Sequence, residues 1–291
     1  MKKIAVVGLL FICILSGCSE KQISSYASDR RISFPEMMKM EEKMVDIKGQ
    51  TLYFKKIGNG KYPLLMLHGF GGSSDGFKAV YPALSKQFTI VSVDLLGFGR
   101  SSKPMNFYYS FQTHANLYYK LMKKLGYTKF AVLGHSMGGE IALNLSYLYP
   151  GAVSHLVLID APGVESLTAG MPGKKPIFND SLSNVSEVMA YNERLVKNNR
   201  NDHRHYKEIY KQRPRRLRIA AKEMTLPTLI VWGRKDRAVP VASGEQYHRL
   251  LKNSEFHIIE KGYHAPFRQY PEEFMGIVNT FFRKYPTNQL Q

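Results

Sequence analysis

Cysteine is nearly absent from this chain: Cys13 and Cys18 are the only two, and both fall within the first eighteen residues. Residues 19–291 therefore cannot close a disulfide among themselves, and their stability must come from a packed core. No apolar run is long enough to cross a bilayer as a helix. The run over residues 4–15 has twelve members, where a span needs roughly 20. Acidic residues are scarce as well, 23 against 41 basic ones, for a formal net charge of +18. That balance favours polyanionic neighbours such as nucleic acid, an anionic membrane surface or acidic substrates, and it suits a merely basic soluble enzyme equally well. With 44% hydrophobic and 22% charged residues, intrinsic disorder is excluded. At 291 residues the chain can bury one large core as a single α/β domain.

The first residues have the features of a targeting segment. Met1-Lys2-Lys3 is positive, residues 4–15 are apolar, and the small residues Ser16 and Gly17 follow. Leu15-Ser16-Gly17-Cys18 resembles a bacterial lipobox, with an ordinary cleaved signal peptide as the alternative. The resemblance implies a lipoprotein signal peptide over residues 1–17 and lipidation of Cys18. It also implies a membrane-anchored protein of the bacterial cell envelope, and Ser19 after Cys18 points to an outer membrane. Several acyl chains anchor firmly where one binds only marginally. Loss of Lys2 and Lys3 leaves 39 basic residues against 23 acidic, a formal +16. Residues 18–44 read as a lipidated tether, with five basic and five acidic residues over 19–44. A short amphipathic helix is expected at its end, over 34–40.

The body is expected from residue 45. Short β-type runs at 45–48 and 52–57, separated by Gly49-Gln50, predict a hairpin. Continuous apolar strands are predicted at 64–67, 89–93, 130–133, 156–159, 228–232 and 256–259. Between them, Phe111, Ala115, Tyr118, Leu121, Met122 and Leu125 recur at helical spacing, as do Ile141, Ala142, Leu145 and Leu148. Phe274, Ile277, Val278, Phe281 and Phe282 close the chain with a third amphipathic helix. The alternation predicts a mostly parallel central sheet with helices on both faces. It stops over residues 162–224, where Pro172, Pro176 and Pro214 interrupt a polar stretch that gathers Arg213, Arg215, Arg216, Arg218 and Lys222. This segment reads as an inserted cap between core segments 45–161 and 225–291. No nucleic-acid motif accompanies its arginines, so an anionic lipid surface is the expected partner and nucleic acid is not.

Three loops carry the chemistry. Gly134-His135-Ser136-Met137-Gly138 fits Gly-x-Ser-x-Gly between a strand and a helix, the setting in which a tight turn lifts a serine hydroxyl clear of its neighbours. Alone the pattern is weak, since chance produces it in roughly one chain of this length in ten. His68-Gly69-Phe70-Gly71-Gly72 follows a buried strand, and the backbone of Phe70 is a candidate oxyanion donor. His68 itself is expected to brace that loop, and Asp94 to fix the loop Gly97-Phe98-Gly99-Arg100-Ser101-Ser102 by hydrogen bonds. Asp236 and His264 sit on loops after successive late strands, which share the carboxyl edge of a parallel sheet with Ser136. Asp160, also at a strand end, is the rival acid.

Together these segments resemble the α/β-hydrolases over residues 52–285, with Ser, Asp and His in the order of that family. Residues 95–104 and the lipobox look similar to bacterial lipases and esterases of lipolytic family V, and less closely to monoacylglycerol lipases. Dehalogenases and epoxide hydrolases of this fold carry aspartate where Ser136 stands. The resemblance implies a serine hydrolase of carboxylic esters, lipid or acylglycerol esters above all, with Ser136, His264 and Asp236 as triad and an oxyanion hole from the amides of Phe70 and Met137. It implies no metal and no cofactor. A monomer is expected. Two alternatives stay open: another bond, carbon–carbon or thioester, cleaved by the same triad, and an envelope lipoprotein that binds without turnover.

Overall fold

The runs Leu64 to Leu67, Ala131 to Leu133, Leu156 to Ile159 and Leu229 to Trp232 are all shielded from solvent. Stretches with no polar face can sit only where a sheet is covered on both sides. The computed structural model, which describes residues 39–104, 107, 109–164 and 219–287, places them in the middle of an eight-stranded sheet. Its strands are β1 (Met40–Ile47), β2 (Gln50–Ile57), β3 (Tyr62–Leu67), β4 (Phe88–Val93), β5 (Phe130–His135), β6 (Val153–Ile159), β7 (Thr228–Gly233) and β8 (Ser254–Ile259). The spatial order is β1-β2-β4-β3-β5-β6-β7-β8. Strands β3 to β8 run parallel, while β2 pairs antiparallel with both β1 and β4. The α-helices among the described residues are α1 (Tyr81–Leu84), α2 (Phe111–Lys124), α3 (Met137–Leu148), α4 (Val241–Leu250), α5 (Pro266–Gln269) and α6 (Pro271–Lys284). The expected α/β architecture, a mostly parallel sheet with helices on both faces, is the one found.

Local chemistry accounts for the boundaries. Lys48 and Gly49 both take positive φ, 54° and 79°, the conformation a two-residue hairpin turn requires. Ser110 caps α2 by accepting from Thr113 N–H at 3.1 Å, and the Thr113 hydroxyl oxygen accepts in return from Ser110 N–H at 2.9 Å. In α4 a glycine, Gly244, lies so close to Trp232 that a Cβ would stand 2.6 Å from the indole ring. The Trp232 indole N–H in turn donates to the Val239 carbonyl at 3.0 Å.

Two expectations are corrected. Strand β1 begins at Met40, so residues 40–44, assigned to the tether, belong to the sheet, and Met40 is strand rather than the end of a helix. Pairing with β2 supplies the reason: every residue from Met40 to Ile47 has a partner there, which satisfies a backbone whose own side chains are mostly exposed and polar. Helix α4 was not foreseen at all. The signal peptide, Cys18, residues 19–38 of the tether and residues 165–218 of the expected cap lie outside the described residues.

The loop after β4 is built around buried neutral and charged groups. Asp94, fully buried, accepts from the Ser74 amide at 2.7 Å, the Ser74 hydroxyl at 2.6 Å, the Arg100 amide at 2.8 Å and Arg100 Nε at 3.0 Å. Burial alone would raise its pKa, but these bonds from Arg100 and Ser74 outweigh it and hold the carboxyl below its usual range. His68 accepts from Leu95 N–H through Nε2 at 2.8 Å, so its Nδ1 carries the proton and donates to the Gly69 carbonyl at 2.7 Å. His114 lies behind it: Leu96 N–H donates to Tyr118 Oη at 2.9 Å, and that hydroxyl donates to His114 Nδ1 at 2.9 Å. Burial lowers the pKa of His68 to about 4 and of His114 to about 3.

Both values bear on the acid response of the fold. Both histidines are depressed below the ordinary 6.5, so the unfolded chain binds more protons than the folded one below that pH. The stability that these two histidines contribute is therefore full above about pH 6.5 and falls as pH drops toward 4, by about 3 kcal/mol for each. In urea titrations across that window, His114→Asn should reduce the slope of unfolding free energy against pH by about one proton. An unchanged slope would show that His114 does not stay neutral in the folded protein.

Candidate active site

Because β3 to β8 are parallel, the residues that follow them gather at one edge of the sheet: His68 after β3, Asp94 after β4, Ser136 after β5, Asp160 after β6, Asp236 after β7 and His264 after β8. The ladders continue one step past the strands. Ser136 N–H donates to the Ile159 carbonyl at 2.9 Å, Asp160 N–H to that of Val231 at 3.2 Å, and Arg234 N–H to that of Ile259 at 3.1 Å. Each loop therefore leaves the edge in a fixed direction.

Ser136 sits between β5 and α3 at φ 51° and ψ −124°. A side chain held in that region costs on the order of 1–3 kcal/mol, which the surrounding packing must supply. Glycines make the packing possible. A Cβ on Gly134 would stand 2.3 Å from the Gly138 carbonyl oxygen, one on Gly138 2.2 Å from that of Leu67, and one on Gly139 2.5 Å from Ala161 Cβ. Strand β5, the end of β3 and the first turn of α3 thus touch backbone to backbone.

The structure brings Ser136, His264 and Asp236 together. Ser136 Oγ lies 2.9 Å from His264 Nε2, and His264 Nδ1 lies 2.8 Å from Asp236 Oδ2. Nδ1 donates to the carboxylate, which leaves Nε2 as acceptor toward the serine hydroxyl. The Asp236 side chain is fully buried, while that of His264 is about a third exposed. The other carboxylate oxygen of Asp236 accepts from Ala238 N–H at 2.7 Å and Val239 N–H at 3.0 Å. The loops bearing Asp236 and His264 are fastened to each other: Lys235 N–H donates to the Gly262 carbonyl at 2.8 Å, and Arg234 grips Glu260 through two bonds of 3.0 and 2.8 Å.

Met137 follows the serine in the chain, and Phe70 follows Gly69, which packs against it. Met137 opens α3, where the first amides have no intrahelical acceptor. Gly69 passes so near that a Cβ there would stand 3.0 Å from Ser136 Cβ. The Phe70 ring meets Phe98 edge-on at 5.1 Å, which ties this loop to the one fixed by Asp94.

Sequence reasoning missed His135. Its Nε2–H donates to the His264 carbonyl at 2.5 Å, pinning the backbone of the residue whose ring faces Ser136. Burial first, then the neighbouring His264, lowers its pKa to about 3. A histidine directly before the serine of the Gly-x-Ser-x-Gly pattern was the available signal. His135, Asp160 and His264 also offer ligand atoms within 4.8 Å of one another. Both ring nitrogens of His264 are engaged, by Asp236 and Ser136, and Nε2 of His135 is engaged by the His264 carbonyl.

The chain matches the family model of the alpha/beta hydrolase fold over residues 62–178 and 174–269. It is 30% identical to Lipase 3 of Moraxella sp. (strain TA144) over 230 residues, covering 70% of this chain and 72% of that protein. Lipase 1 of Psychrobacter immobilis is 28% identical over 247 residues, covering 75% of this chain and 76% of that lipase. Among solved structures, a membrane phospholipase A described as a bacterial virulence factor superposes with a TM-score of 0.71 at 25% identity, over 98% of this chain and 99% of that one.

The glycine contacts predict how the elbow fails. Gly138→Ala must push α3 off the end of β3, so the rate of fluorophosphonate labelling at Ser136 should fall about 100-fold with a stability loss of about 1–3 kcal/mol. Gly276→Ala, in α6 with nothing within 4 Å of the added methyl, should leave labelling unchanged and stabilise by about 1 kcal/mol.

Proposed function

The chain belongs to the α/β-hydrolase fold family, and we propose that it is a serine hydrolase of carboxylic esters, with lipid esters as its substrates. The observation that carries this reading is the unbroken relay from Ser136 Oγ through His264 to a buried Asp236, at 2.9 and 2.8 Å. A serine hydroxyl is a poor nucleophile at neutral pH and needs a base to take its proton during attack. His264 Nε2 takes it, and Asp236 holds the imidazole tautomer and stabilises the imidazolium that forms. The carbonyl carbon becomes tetrahedral and its oxygen negative. The amides of Met137 and Phe70 receive that charge, each donor contributing about 3–4 kcal/mol to lowering the barrier. Collapse expels the alcohol, protonated by His264, and leaves an acyl-serine. Water, activated by the same imidazole, then releases the acid.

The lipase relatives and the membrane phospholipase A neighbour support a lipid ester over a small soluble one. A lipoprotein form agrees with such a substrate: signal peptide over 1–17, lipidated Cys18 as membrane anchor, and a basic cap over 162–224 that faces anionic lipid. In the sequence of that segment, the apolar residues Ile177, Phe178, Leu182, Val185, Val188, Met189 and Leu195 are candidates for an acyl pocket, and core packing accounts for them equally well.

Hydrolysis of p-nitrophenyl esters of rising acyl length, by protein lacking residues 1–17, tests the reaction. Turnover should disappear in Ser136→Ala and fall by about 10⁴ in Asp236→Asn, where the tautomer is lost. Activity retained by Ser136→Ala, or confined to carbon–carbon or thioester substrates, would overturn the ester reading. The same protein should bind anionic vesicles more tightly than neutral ones, by about 1 kcal/mol for each basic residue engaged; equal binding would remove the anionic surface as partner.

A further inference from the structure

A second carboxyl stands against the relay. Asp160 follows β6, is completely buried and holds a positive φ of 46°. Its Oδ1 accepts from Gly233 N–H, three residues before Asp236, at 2.9 Å. Oδ2 is shut off from water with no donor to satisfy it. What faces it is the carboxylate of Asp236, and two ionised carboxylates can only accept. The other titratable neighbours are His264 after β8 and His135 at the end of β5, each with a ring nitrogen within 4.8 Å of the Asp160 carboxyl. Among the described residues no lysine or arginine pairs with it.

From this geometry we infer that Asp160 is a positioning residue of the acid arm: a protonated carboxyl whose O–H donates to Asp236, so that the two acids together carry one negative charge. Resting on the serine-hydrolase reading above, the inference assigns Asp160 no contact with substrate. The proton turns an acceptor facing an acceptor into an O–H···O bond, and it removes a buried charge that nothing offsets. Burial first, then the charge of Asp236, pushes the carboxyl well above the ordinary carboxylate range, which agrees. Asp236 then holds four bonds: His264 Nδ1–H and the Asp160 hydroxyl, with the amides of Ala238 and Val239. The bond from Asp160 draws charge away from the side that His264 feels. Asp160 thereby keeps Asp236 in place and moderates how strongly the imidazolium is favoured.

Three measurements on the intact chain test this. Infrared difference spectra of wild type minus Asp160→Asn at pH 7 should show the carbonyl stretch of an un-ionised carboxyl; a band of ionised carboxylate instead overturns the proposal, whatever the enzyme's substrate. In Asp160→Ala, kcat should fall about tenfold with KM nearly unchanged. The acid limb of kcat/KM should move up by about half a unit, because Asp236 regains its full charge toward the base. Asn at 160 should restore both, since its amide donates as the O–H does. A downward move of the limb in either variant would mean that Asp160 is charged, and an unmoved limb in Asp160→Ala would mean that its role is only structural. Should the alanine variant fail to fold, the infrared comparison still decides, and Ser136→Ala tests the hydrolase reading separately.

Discussion

The first turn of α3 can approach β3 and β5 only because no side chain stands between them. Gly134 and Gly138 leave gaps that a single methyl would overfill by about an ångström. Through that contact α3 points its free amides at the tip of β5, and Ser136 is forced into a backbone region that serine seldom occupies. The cost of that conformation is met by burial on every side, since β3, β5 and β6 are apolar throughout their centres. Core packing and the placement of the serine hydroxyl are therefore one arrangement. Loosening the glycine contacts would relax the serine as well as the core.

The rest of the edge is held by groups whose charge state is settled by burial. His68, His114 and His135 are all pushed toward the neutral form, so each ring offers one donor and one acceptor in fixed positions. Neutral rings suit bracing because they hold backbone amides and carbonyls without placing a cation beside the serine. Asp94 solves the same problem with the opposite sign, an ionised carboxylate saturated by Arg100 and Ser74. Two chemically different devices thus fix the loops after β3 and β4, and Phe98 of the second loop meets the rings of His68 and Phe70 in the first.

Much of this was legible in the sequence, for physical reasons that differ by element. Strands buried on both faces betray themselves as unbroken apolar runs, so β3 to β7 were readable to within a few residues. The positions of Ser136, Asp236 and His264 followed because a parallel sheet sends every such loop to the same edge. His68 and Asp94 were foreseen as braces, and the distances agree with that role. Strand β1, with the sequence Met-Glu-Glu-Lys-Met-Val-Asp-Ile, escaped in its first half because an edge strand exposed along most of its length has no apolar period to display. Helix α4 escaped for the converse reason: of the face it buries, Ser243, Gly244 and Gln246 are small or polar, and Tyr247 alone shows no apolar period. Its fit depends on Gly244 clearing the Trp232 ring, a tertiary fact with no local signature.

The place of Asp160 shows why a motif can name residues yet leave their roles undecided. Sequence spacing puts one acid after β6 and one after β7, and either could serve the histidine. The fold separates them by what each carboxyl meets. Asp236 meets three donors, the His264 ring and two backbone amides, which suit an anion. Asp160 meets one amide and another acid, which do not. Placing the charge on Asp236 satisfies both sites at once, whereas placing it on Asp160 would leave Asp236 with donors and no anion to receive them. The division of labour between two identical side chains is thus set by backbone geometry in the loops, and above all by the turn over residues 233–239 that aims two amides at one carboxylate.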